Sequence, residues 1–153
     1  MKTLPTLPAL RLIPPLHRAT HRIGLYLAAL QAEPLSQGES HILALLAASS
    51  PLTVGQLHQG LAHKRSTLTS ILNRLVARGF VTRDVGKSDR RTFVVALTAK
   101  GGRAARAVFQ QLADLERAVA ARVSDSDLDG FGRVVAAIET EAHTRASGSR
   151  RRR

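Results

Sequence analysis

The 153-residue chain has no cysteine, no tryptophan, one tyrosine and four phenylalanines, and each shortage closes off chemistry. Without cysteine there is no disulfide framework, thiolate metal site, cysteine nucleophile or thiol redox sensor, and a reducing interior is the expected setting. Pro5, Pro8, Pro14 and Pro15 interrupt the start, and the longest later apolar run, Ile42–Ala48, is far too short to span a bilayer. A soluble cytoplasmic protein is expected, with no membrane partner. Catalytic signatures are missing too: there is no G-x-S-x-G elbow, H-E-x-x-H, phosphate loop or glycine-rich dinucleotide turn, and Gly101-Gly102 is too isolated to cradle a phosphate. The expectation is a non-enzyme with no cofactor.

Acid is the last thing in short supply, and its distribution is informative. The formal charge is +12, which favours a polyanionic partner, either nucleic acid or an anionic membrane surface. Residues 63–106 hold eleven Lys and Arg against only Asp84 and Asp89, so +9 of the +12 lies in this segment. No Asp or Glu occurs between Lys64 and Arg83.

Periodicity and capping signals divide the chain. Residues 1–13 read as a flexible arm, and Pro15 suits the first turn of a helix running to about Gln31, with Leu16, Ala19, Ile23, Leu27 and Leu30 on one stripe. Ser36 and Glu39 have capping-box spacing and predict a helix over 37–48, stopped by Ser49-Ser50-Pro51. Thr53 and Gln56 repeat the signal and open a short helix bearing Leu57 and Leu61. After a break near Ala62–His63, a longer helix runs from Lys64 to Arg78, with Gly79 as its stop. Short helix, tight turn, longer helix is the helix-turn-helix plan.

From Phe80 the period becomes two. Phe80–Val85 and Arg91–Leu97 read as strands joined by residues 86–90, a hairpin or wing whose Phe93, Val95 and Leu97 face the core. A long helix from Thr98 to about Arg122 carries Ala105, Val108, Phe109, Leu112, Leu115, Val119 and Val123 in a near-heptad stripe. Ser124 to Asp127 cap a last helix with Leu128, Phe131, Val135, Ile138 and Ala142. The fold class is mainly α with a small β-hairpin wing, a winged helix-turn-helix lobe plus a helical dimerisation region. The expected divisions are a 1–13 arm, a dimerisation region of 14–34 and 99–145, a DNA-binding domain of 35–98, and a disordered basic tail of 146–153. The tail's Arg150 to Arg153 lend nonspecific attraction or are simply solvated.

On a helical wheel Leu68, Ile71, Leu72 and Leu75 form the buried stripe of the second helix-turn-helix helix. The opposite face presents Ser66, Ser70, Asn73 and Ala77, flanked by Thr67, Thr69 and Arg74, all short or cationic. Small hydroxyl side chains let a helix sit deep in the major groove, Asn pairs with adenine, and Arg pairs with guanine or phosphate. Such residues are also ordinary on a solvated face, and the wing decides between the readings: Lys87, Arg90 and Arg91 cluster at its turn, suited to an electronegative minor groove. Asp89 is read as a brace for Arg91.

These residues resemble a known family. The run from Leu57 through Ser66-Thr67-Leu68-Thr69 to Gly79-Phe80-Val81-Thr82-Arg83, followed by Asp89 through Gly101, is similar to the MarR family of regulators, and its second half fits the pattern D-x-R-x-x-x-V-x-L-T-x-x-G. The resemblance implies a homodimer whose first and last helices interlock while two winged lobes straddle double-stranded DNA. It implies groove contacts by Ser66, Thr67, Thr69, Ser70, Asn73 and Arg74, a wing contact by Arg91, and a helix start at Lys64 and Arg65, where Lys64 cannot cap. It also implies an anionic or phenolic effector near the first helix, for which His17, Arg18, His21, Arg22 and Tyr26 are candidates. His17 and His21 have a spacing that can hold a metal, but acids nearby are scarce and no metal is expected. Independently of the resemblance, the first and last two helices carry apolar stripes that a three-helix lobe cannot cover, so partner helices or closure into a monomeric bundle must bury them. The functional expectation is a ligand-responsive repressor binding a pseudo-palindromic operator. The alternative is a nonspecific nucleic-acid-binding or architectural protein.

Overall fold

The computed structural model describes residues 10–30, 33–61, 64–86 and 91–150. The elements are α1 (Ile13–Ala29), α2 (Gln37–Ala48), β1 (Leu52–Thr53), α3 (Val54–Leu61), α4 (Arg65–Ala77), β2 (Val81–Val85), β3 (Phe93–Leu97), α5 (Ala99–Ala120) and α6 (Asp125–Arg150). By packing the chain forms two compact units, Met1–Leu112 and Ala113–Arg153.

Local chemistry accounts for most boundaries in the first unit. Ser36 Oγ accepts from the Glu39 amide while the Glu39 carboxylate accepts from the Ser36 amide, so two donors at the start of α2 are satisfied reciprocally. Thr53 and Gln56 repeat the arrangement before α3. At the end of α4, Gly79 adopts φ +73°, and the Gly79 and Phe80 amides donate back to the Val76 and Leu75 carbonyls. This is the Schellman pattern, in which glycine enters the left-handed region at little steric cost.

The sheet has order β1-β3-β2 and is antiparallel throughout, with Leu52 opposite Val95 in one ladder and Arg83 opposite Val95 in the other. The hairpin was legible as two strands; β1 was not, because it is two residues long and overlaps the capping signal at Thr53. It pairs along the edge of β3 and seats the start of α3 against the wing. The core joins Leu27 of α1, Ile42, Leu43 and Leu46 of α2, Leu57 of α3, the α4 stripe, Phe80, Val81, Val95, and Ala105 and Val108 of α5.

Three expectations need correction. Leu112, on the α5 stripe expected to need partner helices or closure into a bundle for its burial, packs in part against this lobe's own core, because the stripe of α5 turns toward the lobe over its first half. Phe93, assigned to the core face, is 43% exposed, with the Arg83 guanidinium 4.6 Å from its ring centroid. The expected disorder after Arg145 does not hold for residues 146–150, which continue α6. Once the start of α6 is nucleated by the mutual hydrogen bonds of Ser124 and Asp127, each added residue costs little. Residues 151–153 and most of the expected arm lie outside the described residues; α1 itself begins at Ile13, with Pro14 in its first turn.

The tightest contact joins α5 to the end of α4. Thr98 Oγ1 donates toward the Gly79 and Phe80 carbonyls and accepts from the Gly101 amide, capping α5. A Cβ on residue 101 would stand 1.7 Å from the Phe80 carbonyl oxygen, so only glycine permits the approach. Gly101→Ala is therefore expected to destabilise the protein by about 1–3 kcal/mol or more, measured by denaturant unfolding.

Candidate nucleic-acid interface

The α4 helix is placed by its buried side. Leu68, Ile71, Leu72 and Leu75 are held in the core, so the remaining face must point outward. Lys64, Arg65, Ser66, Thr67, Thr69, Ser70, Asn73 and Arg74 are all exposed, and Ser66, Thr69, Ser70, Asn73, Arg74 and Ala77 line one shallow concavity of about 600 Å³. Lys64 precedes the helix in extended conformation without a side-chain capping bond, as its chemistry requires. A groove of about 400 Å³ runs beside it, where His58 and Gln59 of α3 meet Arg65 and Thr69. His58 and Gln59 were not singled out from the sequence, since only packing brings α3 alongside the start of α4.

Arg74 is half exposed and constrained from two sides. One terminal nitrogen, NH1, donates to Ser70 Oγ at 3.0 Å, and its Nε stands 3.5 Å from Glu39 Oε1. Glu39 is buried and also meets Arg78 NH1, at 3.3 Å from Oε2. Burial by itself would raise its pKa, but the Ser36 hydrogen bonds and the charges of Arg78 and Arg74 outweigh burial and hold the carboxyl below its ordinary value. Arg78 continues outward to the Pro34 carbonyl and to Glu33, which also pairs with Lys100; both cations lie against the Phe80 ring. Capping spacing identified Glu39 as a helix-start residue, but nothing in the sequence pointed to its contact with α4.

On the wing, Arg91 is exposed immediately before β3, and the Gly86 amide donates to the Thr92 carbonyl at the distal end of the ladder. Lys87, Asp89 and Arg90 lie outside the described residues. Arg83, stacked on Phe93, stiffens the wing stem.

The five α1 candidates do not share a face. His17, Arg18, His21 and Arg22 are exposed, whereas half-buried Tyr26 donates to the Gln111 carbonyl and lies about 180° around the helix from His17. A cavity of about 510 Å³ occurs instead between the end of α1, the following loop and α5, lined by Leu30, Glu33, Leu35, Phe80, Lys100, Arg103, Ala104, Ala107 and Gln111. Among the described residues no three His, Asp or Glu side chains gather as a metal site, and no helix is long and apolar enough to cross a membrane.

A helix-turn-helix followed directly by an antiparallel hairpin defines a winged-helix protein. Residues 35–93 match the MarR family model, which spans the helix-turn-helix and the start of the wing's second strand. No curated protein matches the sequence. Among solved structures, the chain is similar to a MepR–DNA complex from S. aureus (16% identity, 88% of this chain and 99% of that one, TM-score 0.74). It is similar to the PcaV transcriptional regulator of Streptomyces coelicolor with its natural ligand (19% identity, 89% and 99%, TM-score 0.71). A mutant MarR of E. coli complexed with operator DNA matches at 22% identity over 84% and 91% of the two chains, with a TM-score of 0.67. At these identities the likeness establishes the shared fold.

Because the Glu39 pKa is lowered on folding, its contribution to stability is present in full at neutral pH and is lost as pH falls below its ordinary value of 4.5. Glu39→Gln is expected to cost about 1–3 kcal/mol at pH 7 and to flatten the fall of stability with acid, as followed by urea unfolding at several pH values.

Proposed function

We propose that the protein is a sequence-specific, DNA-binding transcriptional regulator that acts as a homodimer on a pseudo-palindromic operator. The observation that carries this reading is the α4 face: eight polar or cationic residues from Lys64 to Arg74, all exposed and without an acid among them, on a helix fixed by a fully aliphatic underside. In this reading Ser66, Thr67, Thr69, Ser70, Asn73 and Arg74 meet base edges or nearby phosphates, and Lys64 and Arg65 meet the backbone. The wing adds Lys87, Arg90 and Arg91, with Asp89 bracing Arg91.

Dimerisation is supported by apolar side chains left in water: Leu25 of α1, Phe109 of α5 and Phe131 of α6 are 58%, 49% and 59% exposed. Residues 14–34 and 99–145 form the dimerisation region in this reading, and 35–98 form the DNA-binding domain. Two copies then set two α4 helices about one helical turn of DNA apart, roughly 34 Å. The setting of such a protein is the cytoplasm.

Response to a small anionic or phenolic effector is part of the proposal, as is repression as the outcome when the effector is absent. Its support is the 510 Å³ cavity, where Lys100 and Arg103 border the apolar Leu30, Leu35 and Phe80. The His17 and His21 side of α1, or the opposite side with Arg22 and Tyr26 and with Arg18 between the two, is the other place for such a ligand.

Selection of bound duplexes from a random pool is expected to return a palindromic motif; recovery of every sequence alike, with affinity set by salt alone, establishes the nonspecific architectural alternative instead. Arg91→Ala is expected to weaken binding to the selected duplex by about 1–3 kcal/mol, and Asn73→Glu to abolish it, both with unchanged thermal melting. Phe131→Asp is expected to shift the protein from dimer to monomer in sedimentation. Benzoate or phenol is expected to raise the melting temperature and release the duplex; no change in either with any aromatic acid or phenol removes the effector from the mechanism.

A further inference from the structure

We infer that Glu39, on a helix that does not itself carry the recognition surface, is a positioning residue for DNA readout: it sets the orientation of Arg74 and, through Arg74, of Ser70. The inference rests on the proposed function, in which Arg74 and Ser70 face the groove, and adds to it a residue from outside that surface.

The geometry is a chain of single contacts. Glu39 is 3% exposed and cannot swing out, since Oε2 is committed to the Ser36 amide at 2.7 Å and to Arg78 at 3.3 Å. Its Oε1 faces Arg74 Nε at 3.5 Å. Arg74 would otherwise be a long, freely rotating side chain on a half-exposed face, and freezing such a chain on binding carries a large entropic cost. Here the carboxylate anchors the guanidinium at its inner edge, and NH1 is drawn along the helix onto Ser70 Oγ. That leaves the outer edge of the fork for DNA. Because Ser70 Oγ accepts from Arg74, its own hydroxyl hydrogen is free to donate, which suits the acceptor-rich edges of purines. Glu39 thus preorganises two adjacent readers at once.

Charge by itself predicts the opposite effect, which makes the role testable. A carboxylate beneath a DNA-binding face repels phosphate, so neutralising it should strengthen binding to every duplex if its influence is electrostatic. If Glu39 serves only to hold α2 and α4 together, losing it should weaken binding to every duplex alike. A positioning role predicts a third pattern.

The experiment measures affinity for the duplex recovered from the random pool and for a scrambled duplex of equal length, using the full chain and the variants Glu39→Gln, Arg74→Ala, Arg74→Lys and the Glu39→Gln/Arg74→Ala pair. Glutamine is accepted at this position of a capping box, so α2 keeps its start. The expected result is about a tenfold loss on the selected duplex with Glu39→Gln and no loss on the scrambled one, with no further loss when Glu39→Gln is added to Arg74→Ala. Arg74→Lys keeps the charge but cannot span Glu39 and Ser70 together, and is expected to lose preference by a similar factor. A change of the same size and sign on both duplexes, or an undiminished Glu39→Gln effect in the Arg74→Ala background, overturns the assignment. A wild-type protein that binds both duplexes alike overturns the reading of α4 as a specific surface, and the role of Glu39 with it; preserved preference in Glu39→Gln overturns the role of Glu39 alone.

Discussion

Glu39 is the one carboxylate withdrawn from water in the lobe among the described residues, and the arrangement around it ties the start of α2 to the end of α4 beside the core those helices share. A buried carboxylate is costly unless its lone pairs are filled and its charge is matched. Ser36 supplies the first from the start of α2, and Arg78 and Arg74 supply the second from the last turns of α4. Removing either side leaves uncompensated charge, so the carboxylate makes the angle between α2 and α4 expensive to change.

The cations of the basic segment are thereby divided into two groups that composition cannot separate. Lys64 and Arg65 are exposed at the edge of the candidate surface. Arg78, Arg83 and Lys100 are spent inside the fold: Arg78 on Glu39 and the Pro34 carbonyl, Arg83 on the Phe93 ring, Lys100 on the Arg78 carbonyl and Glu33. Arg74 belongs to both groups, and this double membership is why it is the natural relay between the packing of α2 and the recognition surface. The exposed pairs to Glu33 add little stability by themselves, being screened by water. Their common position against Phe80, beside the close approach of Gly101, keeps the end of α4 and the start of α5 together.

Much of this was legible from the residues alone where the signal is local. The Ser36–Glu39 and Thr53–Gln56 boxes, the stop at Gly79 and the change of period at Phe80 each act within a few residues, and the helices and hairpin follow them closely. The exposed set on α4 was legible for the same reason, since a helix whose stripe is aliphatic must turn its other side outward. Expectations failed where distant parts compete for one side chain. Leu112 lies on a stripe that continues past it, but where the lobe ends and that stripe passes into open surface is set by packing alone. The strand β1 depends on an edge of β3 more than 40 residues away, and the effector candidates on α1 were grouped by sequence although the helix turns them to different sides.

What the amino-acid sequence determined was therefore the set of elements, their caps and the outward face of α4, because hydrogen bonding at helix ends and burial of a stripe are decided by neighbours within a turn or two. What only the tertiary structure decided was the partnership of each charge. Glu39 and Arg74 are 35 positions apart, and their meeting depends on how α2 crosses α4, a geometry set by the shape of the shared core.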